Sequence, residues 1–260
     1  MSKLVQIART VVYYTLFLAM TILAIAVGGL HSLWSICILK KDAGKIFRLN
    51  AWRYGKVWGR LSACFVSVSV TGYNEALPSP CIVILNHQSV FDPYCLGFLP
   101  ERIGGRVNFW VTSWPFSIPV FGMCMRTMDY IDITRLSGEE CIAKSKRLLD
   151  SGVSIAVFPE GTRSKDGELG MFRIGVFKLA LEANVPVIPV VISGLGDFAP
   201  KGRLLLGNAP VRISILPPIL PRDVISEDHL PERALSRRVR KMQKTAIVCK
   251  QKHVYEEHLS

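Results

Sequence analysis

The chain has 260 residues, which is enough for one sizeable domain and an appendage. Half of its residues are apolar, and its mean hydropathy of +0.30 is high for a freely soluble protein. The formal net charge of +12 favours an anionic partner, either nucleic acid or an acidic membrane surface. The seven cysteines are odd in number and form no C-x-x-C pair, which argues against a disulfide framework and predicts reduced, mostly buried thiols.

The first predicted element is an apolar segment that runs from Thr10 to Leu39 without a single Asp, Glu, Lys or Arg. A straight helix of that length would span about 45 Å at ~1.5 Å per residue, whereas the hydrocarbon core of a bilayer is only about 30 Å thick. The segment is therefore either tilted or broken, and Gly28-Gly29 is the expected break. Residues 1–41 are predicted to be a membrane anchor, formed by one span or by a two-helix re-entrant hairpin.

Basic residues flank this anchor on both sides, and loops rich in Lys and Arg tend to stay in the cytoplasm. We therefore expect the rest of the chain to lie on the cytoplasmic side of a membrane. A cleaved signal peptide is the competing hypothesis, because Ala24-Ile25-Ala26 resembles an A-x-A cleavage site behind a basic start. The apolar run continues past Ala26, however, which a cleavage site does not need.

Residues 42–70 are predicted to be an amphipathic interfacial helix region, because basic and aromatic residues alternate there at roughly helical spacing. One interpretation places Trp52, Tyr54 and Trp58 at the level of the lipid headgroups, with the cations facing acidic lipids. In the alternative interpretation, a solvated helix packs these aromatic side chains on the domain.

Residues 71–260 are predicted to form an α/β domain with a mostly parallel central sheet flanked by helices, because short apolar runs alternate with helical patterns. The predicted strands are 81–85, 107–112, 154–158, 185–193 and 211–216. The predicted helices are 137–149 and 175–182, and Asn184-Val185-Pro186 is a stop signal for the second. From Ser226 onward the chain is helical and basic, which indicates a solvated amphipathic helix or, alternatively, one that contacts a membrane surface.

The stretch "ILNHQSVFDP" (84–93) places a histidine and an aspartate directly after a buried strand. An i, i+5 pair does not share one face of a regular helix, so His87 and Asp92 meet only if the chain turns between them. Asp92 could simply be the N-cap of a helix that begins at Pro93, with His87 a hydrogen-bonded core residue. In the functional interpretation, Asp92 fixes the tautomer of His87, which then acts as a general base on a substrate hydroxyl.

The stretch "FPEGTRS" (158–164) also follows a buried strand, and open α/β sheets bind ligands at the carboxyl ends of their strands. Gly161 lets the backbone approach a ligand closely, and Arg163 suits a phosphate because its guanidinium donates two parallel hydrogen bonds. The alternative is a polar turn in which Glu160 pairs with Arg163. Because the sequence contains no H-E-x-x-H motif and no cysteine quartet, it suggests no metal site.

Taken in order, several motifs resemble those of the glycerolipid acyltransferases. The segment "NHQSVFD" matches the N-H-x-x-x-x-D (HX4D) block of that family, and "FPEGTRS" matches its second block. Similar later or intermediate blocks are "IPVFG" (118–122) followed by Arg135, "FRIGVFKLA" (172–180) and "VPVIPV" (185–190). Within the family, the 1-acylglycerol-3-phosphate acyltransferases are the most similar type, over residues 75–216.

This resemblance implies transfer of an acyl group from acyl-carrier protein or coenzyme A to the sn-2 hydroxyl of 1-acylglycerol-3-phosphate (lysophosphatidic acid), which makes phosphatidic acid. It implies that His87 is the general base and that Asp92 orients it. The substrate-binding residues that it implies are Arg135, Glu160, Gly161, Thr162 and Arg163. The thioester is a co-substrate, and neither a cofactor nor a metal is implied.

The chain departs from the family in the middle block, because no lysine precedes "IP" in the segment 111–117. That lysine is thought to help stabilise the oxyanion, so a backbone N–H or the hydroxyl of Thr112 or Ser113 is expected to replace it. Asp132 also stands where an apolar residue is usual. These departures keep open an acyltransferase for another acceptor, with a larger headgroup or a lyso-aminolipid.

An alternative from another functional class is a non-catalytic membrane protein that binds anionic lipid through its basic surface. Nucleic acid is not an expected partner, because the basic residues are scattered and no recognised nucleic-acid motif occurs.

Overall fold

A computed structural model describes residues 2–72, 77–164, 167–224 and 230–257, with side chains described as far as Val248. Its sheet consists of β1 (Val68–Gly72), β2 (Ile82–Leu85), β3 (Val107–Val111), β4 (Ile131–Asp132), β5 (Ser154–Val157), β6 (Val187–Ser193) and β7 (Val211–Ile215). The strand order is β1-β7-β6-β2-β5-β3-β4. Strands β2 to β6 run parallel, while β7 is antiparallel to β6 and parallel to β1. The predicted mostly parallel α/β sheet is therefore confirmed.

The five predicted strands all form, with ends that differ from the predicted ones by no more than two residues. All four residues of β2 and of β5 are buried, which explains why each was an uninterrupted apolar run. Two strands were not predicted. Strand β4 has only two residues, and β1 is an edge strand whose last three residues are exposed.

Eight α-helices surround the sheet within the described part of the chain: α1 (Lys3–Leu33), α2 (Ala43–Ala63), α3 (Glu101–Gly104), α4 (Pro119–Thr127), α5 (Gly138–Asp150), α6 (Gly175–Ala183), α7 (Leu195–Phe198) and α8 (Pro231–Glu257). Short 3-10 helices lie at Asp92–Phe98, Trp114–Ser117 and Pro221–Asp223. Helix α5 begins with a capping box of Ser137 and Glu140, and α6 ends at Asn184 in the left-handed conformation, φ 48°. The two helices predicted in the domain are therefore confirmed.

The sheet separates two apolar cores because successive side chains of each strand point to opposite faces. In β2, for example, Val83 and Leu85 face the core that lies under α1 and α2. Ile82 and Ile84 face the second core, which lies under α5, α6 and α8.

Helix α1 continues through Gly28 and Gly29, and a π-helical turn, Trp34–Ile38, extends it. The predicted break at the glycines is therefore wrong, and residues 3–38 do not form a two-helix hairpin by themselves. Two glycines lower helix propensity by about 1 kcal/mol each, but a side chain of the neighbouring helix bonds to the first of them. The Asn50 amide of α2 donates a hydrogen bond to the Gly28 carbonyl at 3.2 Å.

By length and composition, the helical stretch Lys3–Ile38 is able to cross a membrane, since its most apolar window has a mean hydropathy of 2.2 and is only 6% buried. Its beginning is nevertheless attached to the domain. Tyr13 is fully buried in the first core, and the Arg9 guanidinium donates to the Gly207 carbonyl at 2.9 Å. Cleavage after Ala26 would remove Tyr13 from the core, which argues against the signal-peptide hypothesis.

Helix α2 packs its aromatic side chains on protein. Trp58 is buried and donates a hydrogen bond to the Tyr13 hydroxyl at 3.0 Å, and Trp52 donates to the Leu99 carbonyl at 3.0 Å. Tyr54 bonds to Thr21 of α1 at 2.7 Å. All three aromatic side chains therefore bond to protein, as the alternative interpretation expected, and Trp58 is buried. The position of α2 at a lipid interface stays a prediction.

The basic helix predicted near the end of the chain is confirmed from Pro231 onward, while its predicted start at Ser226 lies outside the described residues. One of its cations serves the fold, because the Arg240 guanidinium donates to the carbonyls of Leu169 and Gly170 at 2.9 and 3.1 Å. The six described cysteines are all free, and Cys81, Cys95 and Cys141 are buried.

Candidate active site

The carboxyl end of β2 carries the predicted histidine–aspartate pair. His87 follows β2 by two positions, and its Nδ1 lies 2.6 Å from Asp92 Oδ2. The chain turns between the two residues, and the 3-10 helix then begins at Asp92 with Pro93 in its first turn. The sequence-based expectation that the two side chains meet across a turn is therefore met in the structure.

Asp92 is fully buried, and its Oδ2 accepts three hydrogen bonds: one from His87 and two from the backbone N–H groups of Gln88 and Ser89, at 2.6 and 2.8 Å. Burial raises the pKa of Asp92, while the bonds to His87 and to the backbone oppose that rise. Its side chain does not cap the helix that it begins. The alternative role as an N-cap is wrong, because the carboxylate points back toward the turn that carries His87.

The imidazole of His87 is held on one edge and on one face. Asp92 fixes the Nδ1 edge, and the Phe158 ring stacks on one face at a centroid distance of 4.3 Å. The histidine side chain remains 22% exposed. No described residue forms a hydrogen bond with Nε2, so this nitrogen is available to a substrate when the proton lies on Nδ1.

The loop 158–164 is bound directly to the histidine turn, although the two segments are far apart in sequence. The Ser164 N–H donates to the His87 carbonyl at 2.8 Å, and the His87 N–H donates to Glu160 Oε1 at 2.9 Å. The two motifs are neighbours because β2 and β5 are adjacent parallel strands, whose carboxyl ends meet at the same edge.

The Glu160 carboxylate accepts hydrogen bonds from backbone N–H groups rather than from a cationic side chain. Its second oxygen, Oε2, accepts a hydrogen bond from the Gly170 N–H at 2.9 Å, and burial raises the pKa of this carboxyl. Among the described residues it forms no ion pair with Arg163, so the expected pairing of these two residues is wrong. Both oxygens are already occupied by the N–H groups that fix the loop in place.

Gly161 is at a position that favours glycine, because its φ of +70° lies in the left-handed region. A Cβ atom there would also lie 2.8 Å from the Arg173 Nε. Arg173 thus covers the loop, and its own N–H donates to the Pro159 carbonyl at 2.9 Å. Arg173 belongs to the block "FRIGVFKLA", but the sequence analysis assigned it no role.

Two other predicted residues lie in the same loop. Thr162 is exposed and Arg163 is half-buried, and among the described residues no ion pair involves the Arg163 guanidinium. The Lys201 ammonium lies 3.4 Å from the Arg163 carbonyl. The cations Arg163, Arg173 and Lys201 therefore gather around the loop that is attached to His87.

Arg135 lies at the same edge of the sheet but farther along it. It follows β4, which is three strands from β2, so about 14 Å separates the two strands at ~4.8 Å per step. The Arg135 guanidinium is 78% exposed and lies 3.6 Å from the Asp132 carboxylate.

The Asp132 carboxylate also bears on the prediction that Ser113 stabilises the oxyanion. The Ser113 hydroxyl donates to Asp132 at 2.8 Å, and the Ser113 N–H donates to the Thr134 hydroxyl at 3.2 Å. The hypothesis that Ser113 replaces the missing lysine is therefore wrong in this arrangement, because both of its donors are occupied. Thr112 is exposed, and its hydroxyl bonds to no described residue, so its role stays a prediction.

Two buried polar residues that position the histidine strand were missed. The Asn86 amide donates to the Ile192 carbonyl at 2.8 Å and accepts from the Ile192 N–H at 2.7 Å, so it joins the end of β2 to β6. Gln243 of α8 is fully buried and donates to the carbonyls of Ile84 and Val190, at 3.0 and 2.8 Å. Asn86 is adjacent to the histidine in the "NH" motif, which was an available signal, but nothing in the local sequence marks Gln243.

The geometry can be compared with known proteins. A sequence model of the family described as Acyltransferase matches residues 67–193. The human 1-acyl-sn-glycerol-3-phosphate acyltransferase alpha is 33% identical over 207 residues, which cover 75% of this chain and 67% of that protein. The chain belongs to the glycerolipid acyltransferase family.

Another member of the glycerolipid acyltransferase family, the chloroplastic 1-acyl-sn-glycerol-3-phosphate acyltransferase BAT2 of Brassica napus, is 37% identical over 172 residues. That match covers 63% of this chain and 48% of the plant relative, so the chain spans about half the length of that relative. The crystal structure of the 1-acyl-sn-glycerophosphate (LPA) acyltransferase PlsC from Thermotoga maritima is similar with a TM-score of 0.73 at 28% identity, covering 95% of this chain and 97% of that one. The family expected from the motifs is thereby confirmed.

Proposed function

We propose that this protein transfers an acyl group from a thioester to the sn-2 hydroxyl of 1-acyl-sn-glycerol-3-phosphate. The names of its relatives support this acceptor. The observation that carries the proposal is the His87–Asp92 contact of 2.6 Å, with the Nε2 edge of the histidine open beside a loop rich in cations.

In the proposed reaction, His87 Nε2 takes the proton of the acceptor hydroxyl while Asp92 stabilises the imidazolium that forms. The hydroxyl oxygen attacks the thioester carbonyl carbon and forms a tetrahedral intermediate. When this intermediate collapses, the C–S bond breaks, and the thiolate takes the proton back from Nε2. The protons and the electron pairs balance, so the step needs no oxidant or reductant beyond the two substrates.

We assign the acceptor phosphate to the cations around the loop 158–164, with Arg163 as the principal ligand and Arg173 as a second cation. Gly161 and Thr162 line the approach, and Glu160 fixes the loop to the histidine turn. Arg135 is proposed for the outer part of the acceptor site, since it is exposed at the same edge. The thiol carrier of the acyl group is coenzyme A or acyl-carrier protein.

The contacts of α1 favour attachment to one leaflet over a span. From Tyr13 to His31, α1 lies along α2, which exposes Arg53, Lys56 and Arg60. If α1 crossed the bilayer, it would draw these cations toward the hydrocarbon core, where a charged side chain costs about 2.5–3.5 kcal/mol. We infer that α1 lies in the plane of one leaflet, with its free apolar side in lipid and the catalytic domain on the cytoplasmic side.

The proposal is tested by measuring thiol release from acyl-coenzyme A, and carrier release from acyl-ACP, with and without lysophosphatidic acid. We expect release that depends on this acceptor and exceeds release with lysolipids of larger headgroup or lyso-aminolipids. His87→Ala should lower turnover by roughly 10²- to 10⁴-fold, while its circular dichroism spectrum and vesicle binding stay those of the wild type.

Near-normal turnover of His87→Ala would remove the histidine from the mechanism. A preference for another lysolipid would keep the chemistry and change the acceptor. Lipid binding without any thioester consumption would instead indicate a non-catalytic lipid-binding protein.

A further inference from the structure

The outward side of α4 and of the turn before it is apolar. Five large apolar side chains are exposed there, with Trp114 at 68% and Met123 at 52%, and the full set is Trp114, Ile118, Val120, Phe121 and Met123. We call this set the α4 face. The outward side of a surface helix is normally polar or charged, so an apolar patch of this kind indicates an interaction site.

The α4 face does not result from an exposed core. Gly122 and Met125 of α4 are buried, and Met128, at its C-cap, is buried as well. The helix therefore already packs on the protein. The five apolar residues of the α4 face stay exposed in addition to these buried contacts.

The turn before α4 is in direct contact with the helix. The Gly122 N–H donates to the Ile118 carbonyl at 2.6 Å, and the Arg126 guanidinium donates to the Phe116 carbonyl at 2.9 Å. A Cβ atom at Gly122 would clash with the backbone of Phe116, so the turn and the helix are in close contact. These contacts join the turn that carries Trp114 to the helix that carries Phe121.

The end of α4 is joined to helix α2, which packs along α1. The Arg48 guanidinium of α2 donates to the Met128 carbonyl, directly after α4, at 2.9 Å, and Gly44 lies against the Thr127 carbonyl. Helix α2 begins just after the exposed apolar end of the α1 segment, which includes Trp34 and Ile38.

Exposed cations, namely Lys40, Lys41, Lys45 and Arg126, lie along the segment that joins the two apolar surfaces and on α4 itself. Cations beside apolar and aromatic side chains match a bilayer surface that contains acidic lipids.

We propose that the α4 face is a second membrane-contacting surface, which enters the headgroup region of a bilayer containing acidic lipids. Helix α4 follows β3 and therefore leaves the sheet at the edge that carries His87. Contact through both α1 and α4 holds that edge against the lipid from which a lysolipid acceptor would come. The proposal concerns binding, so it does not depend on which acceptor the enzyme uses.

The test places an environment-sensitive fluorophore on Phe121→Cys, in a chain in which Cys37, Cys64, Cys124 and Cys249 are replaced by serine. Ser151→Cys is the matched control, because this exposed residue follows α5 and lies at the opposite, amino end of β5. Vesicles of phosphatidylcholine are added, with and without phosphatidylglycerol, and with quenchers attached to the acyl chains. We expect a blue shift and quenching at position 121 on acidic vesicles, and neither at position 151.

A second variant pair measures affinity. Phe121→Glu combined with Met123→Glu should weaken sedimentation with acidic vesicles about tenfold. Val248→Glu, an exposed apolar position on α8 on the other side of the sheet, should leave it unchanged. Unchanged melting temperatures exclude a folding defect.

A fluorophore at position 121 that stays in water while the protein sediments with vesicles would overturn the proposal. So would a blue shift at position 121 without vesicles that rises with protein concentration, since that result would assign the face to a second copy of the chain. Loss of acyl transfer with normal lipid binding would count against the proposed function and leave this proposal intact.

Discussion

At the scale of single residues, Asp92 combines a charge with complete burial. Hydrogen bonds must replace water around a buried carboxylate, and here His87 and two backbone N–H groups do so at Oδ2, while Oδ1 has no partner among the described residues. The arrangement trades some stability for an oriented imidazole, which is a common feature of catalytic sites.

Asp92→Asn tests this trade. An amide at this position presents the wrong partner to His87 Nδ1, so we expect kcat to fall by roughly 10³- to 10⁴-fold. Burial raises the pKa of Asp92, so only at pH values between the ordinary and the raised pKa does the native chain hold a proton that the unfolded chain has lost. Wild-type stability therefore falls as the pH rises from the ordinary carboxyl pKa of about 3.9 to the raised value.

The asparagine variant does not titrate at this position. We therefore expect the difference in Tm, variant minus wild type, to increase with pH across that window and then to level off. Thermal melts at a series of pH values measure this difference. A difference that is flat or decreases with pH would contradict the assigned cost of burying the charge.

Arg163→Ala tests the phosphate role. A hydrogen bond to a charged group is worth roughly 1.5–3 kcal/mol, so we expect the KM for lysophosphatidic acid to rise about 10- to 100-fold while the KM for the thioester changes little. Arg147→Ala, an exposed arginine in the last turn of α5, is the matched control and should leave both constants unchanged. Equal increases in the two KM values would argue against a phosphate contact.

At the scale of elements, the sequence predicts what depends on neighbours in the chain. The runs that became β2 and β5 are apolar throughout because both faces of these strands are covered, and this signal is local. The alternation of strand and helix also predicts where the two motifs lie. Parallel strands bring their carboxyl ends to one edge of the sheet, so the segments after β2 and β5 meet there.

The predictions that failed or stay open concern contacts between distant segments. Local composition at Gly28 could not reveal that Asn50 would support the helix there. The spacing of aromatics in α2 identified a covered side but not whether lipid or protein covers it. Ser113 was predicted to donate a hydrogen bond to the oxyanion, but its hydroxyl donates to Asp132, which lies 19 positions later in the chain.

At the scale of the whole molecule, α1, α2 and the sheet form one connected body. Tyr13 of α1 meets Ser62 of α2 at 3.2 Å and also contacts the rings of Phe91 and Phe198. Helix α1 is thus packed on the same core that carries the histidine turn.

This connection gives a prediction about sidedness. Single cysteines introduced at Leu4 and at Lys40, in a chain without other reactive cysteines, mark the two ends of the α1 segment. If α1 lies in one leaflet, a membrane-impermeant thiol reagent outside sealed vesicles to which the protein has been added should label both. Labelling of only one position, with the other reached after the vesicles are opened, would show a span.

The pairing of Gln243 with β2 also has a consequence in time. Gln243 lies 159 positions after Ile84, whose carbonyl it holds, and a ribosome adds about 5–20 residues per second. During synthesis, Ile84 is therefore made roughly 8–30 s before the glutamine that supports it. The apolar N-terminal helix is made earlier still. We therefore expect the nascent protein to bind a lipid surface before Gln243 is available to support the strand that precedes His87.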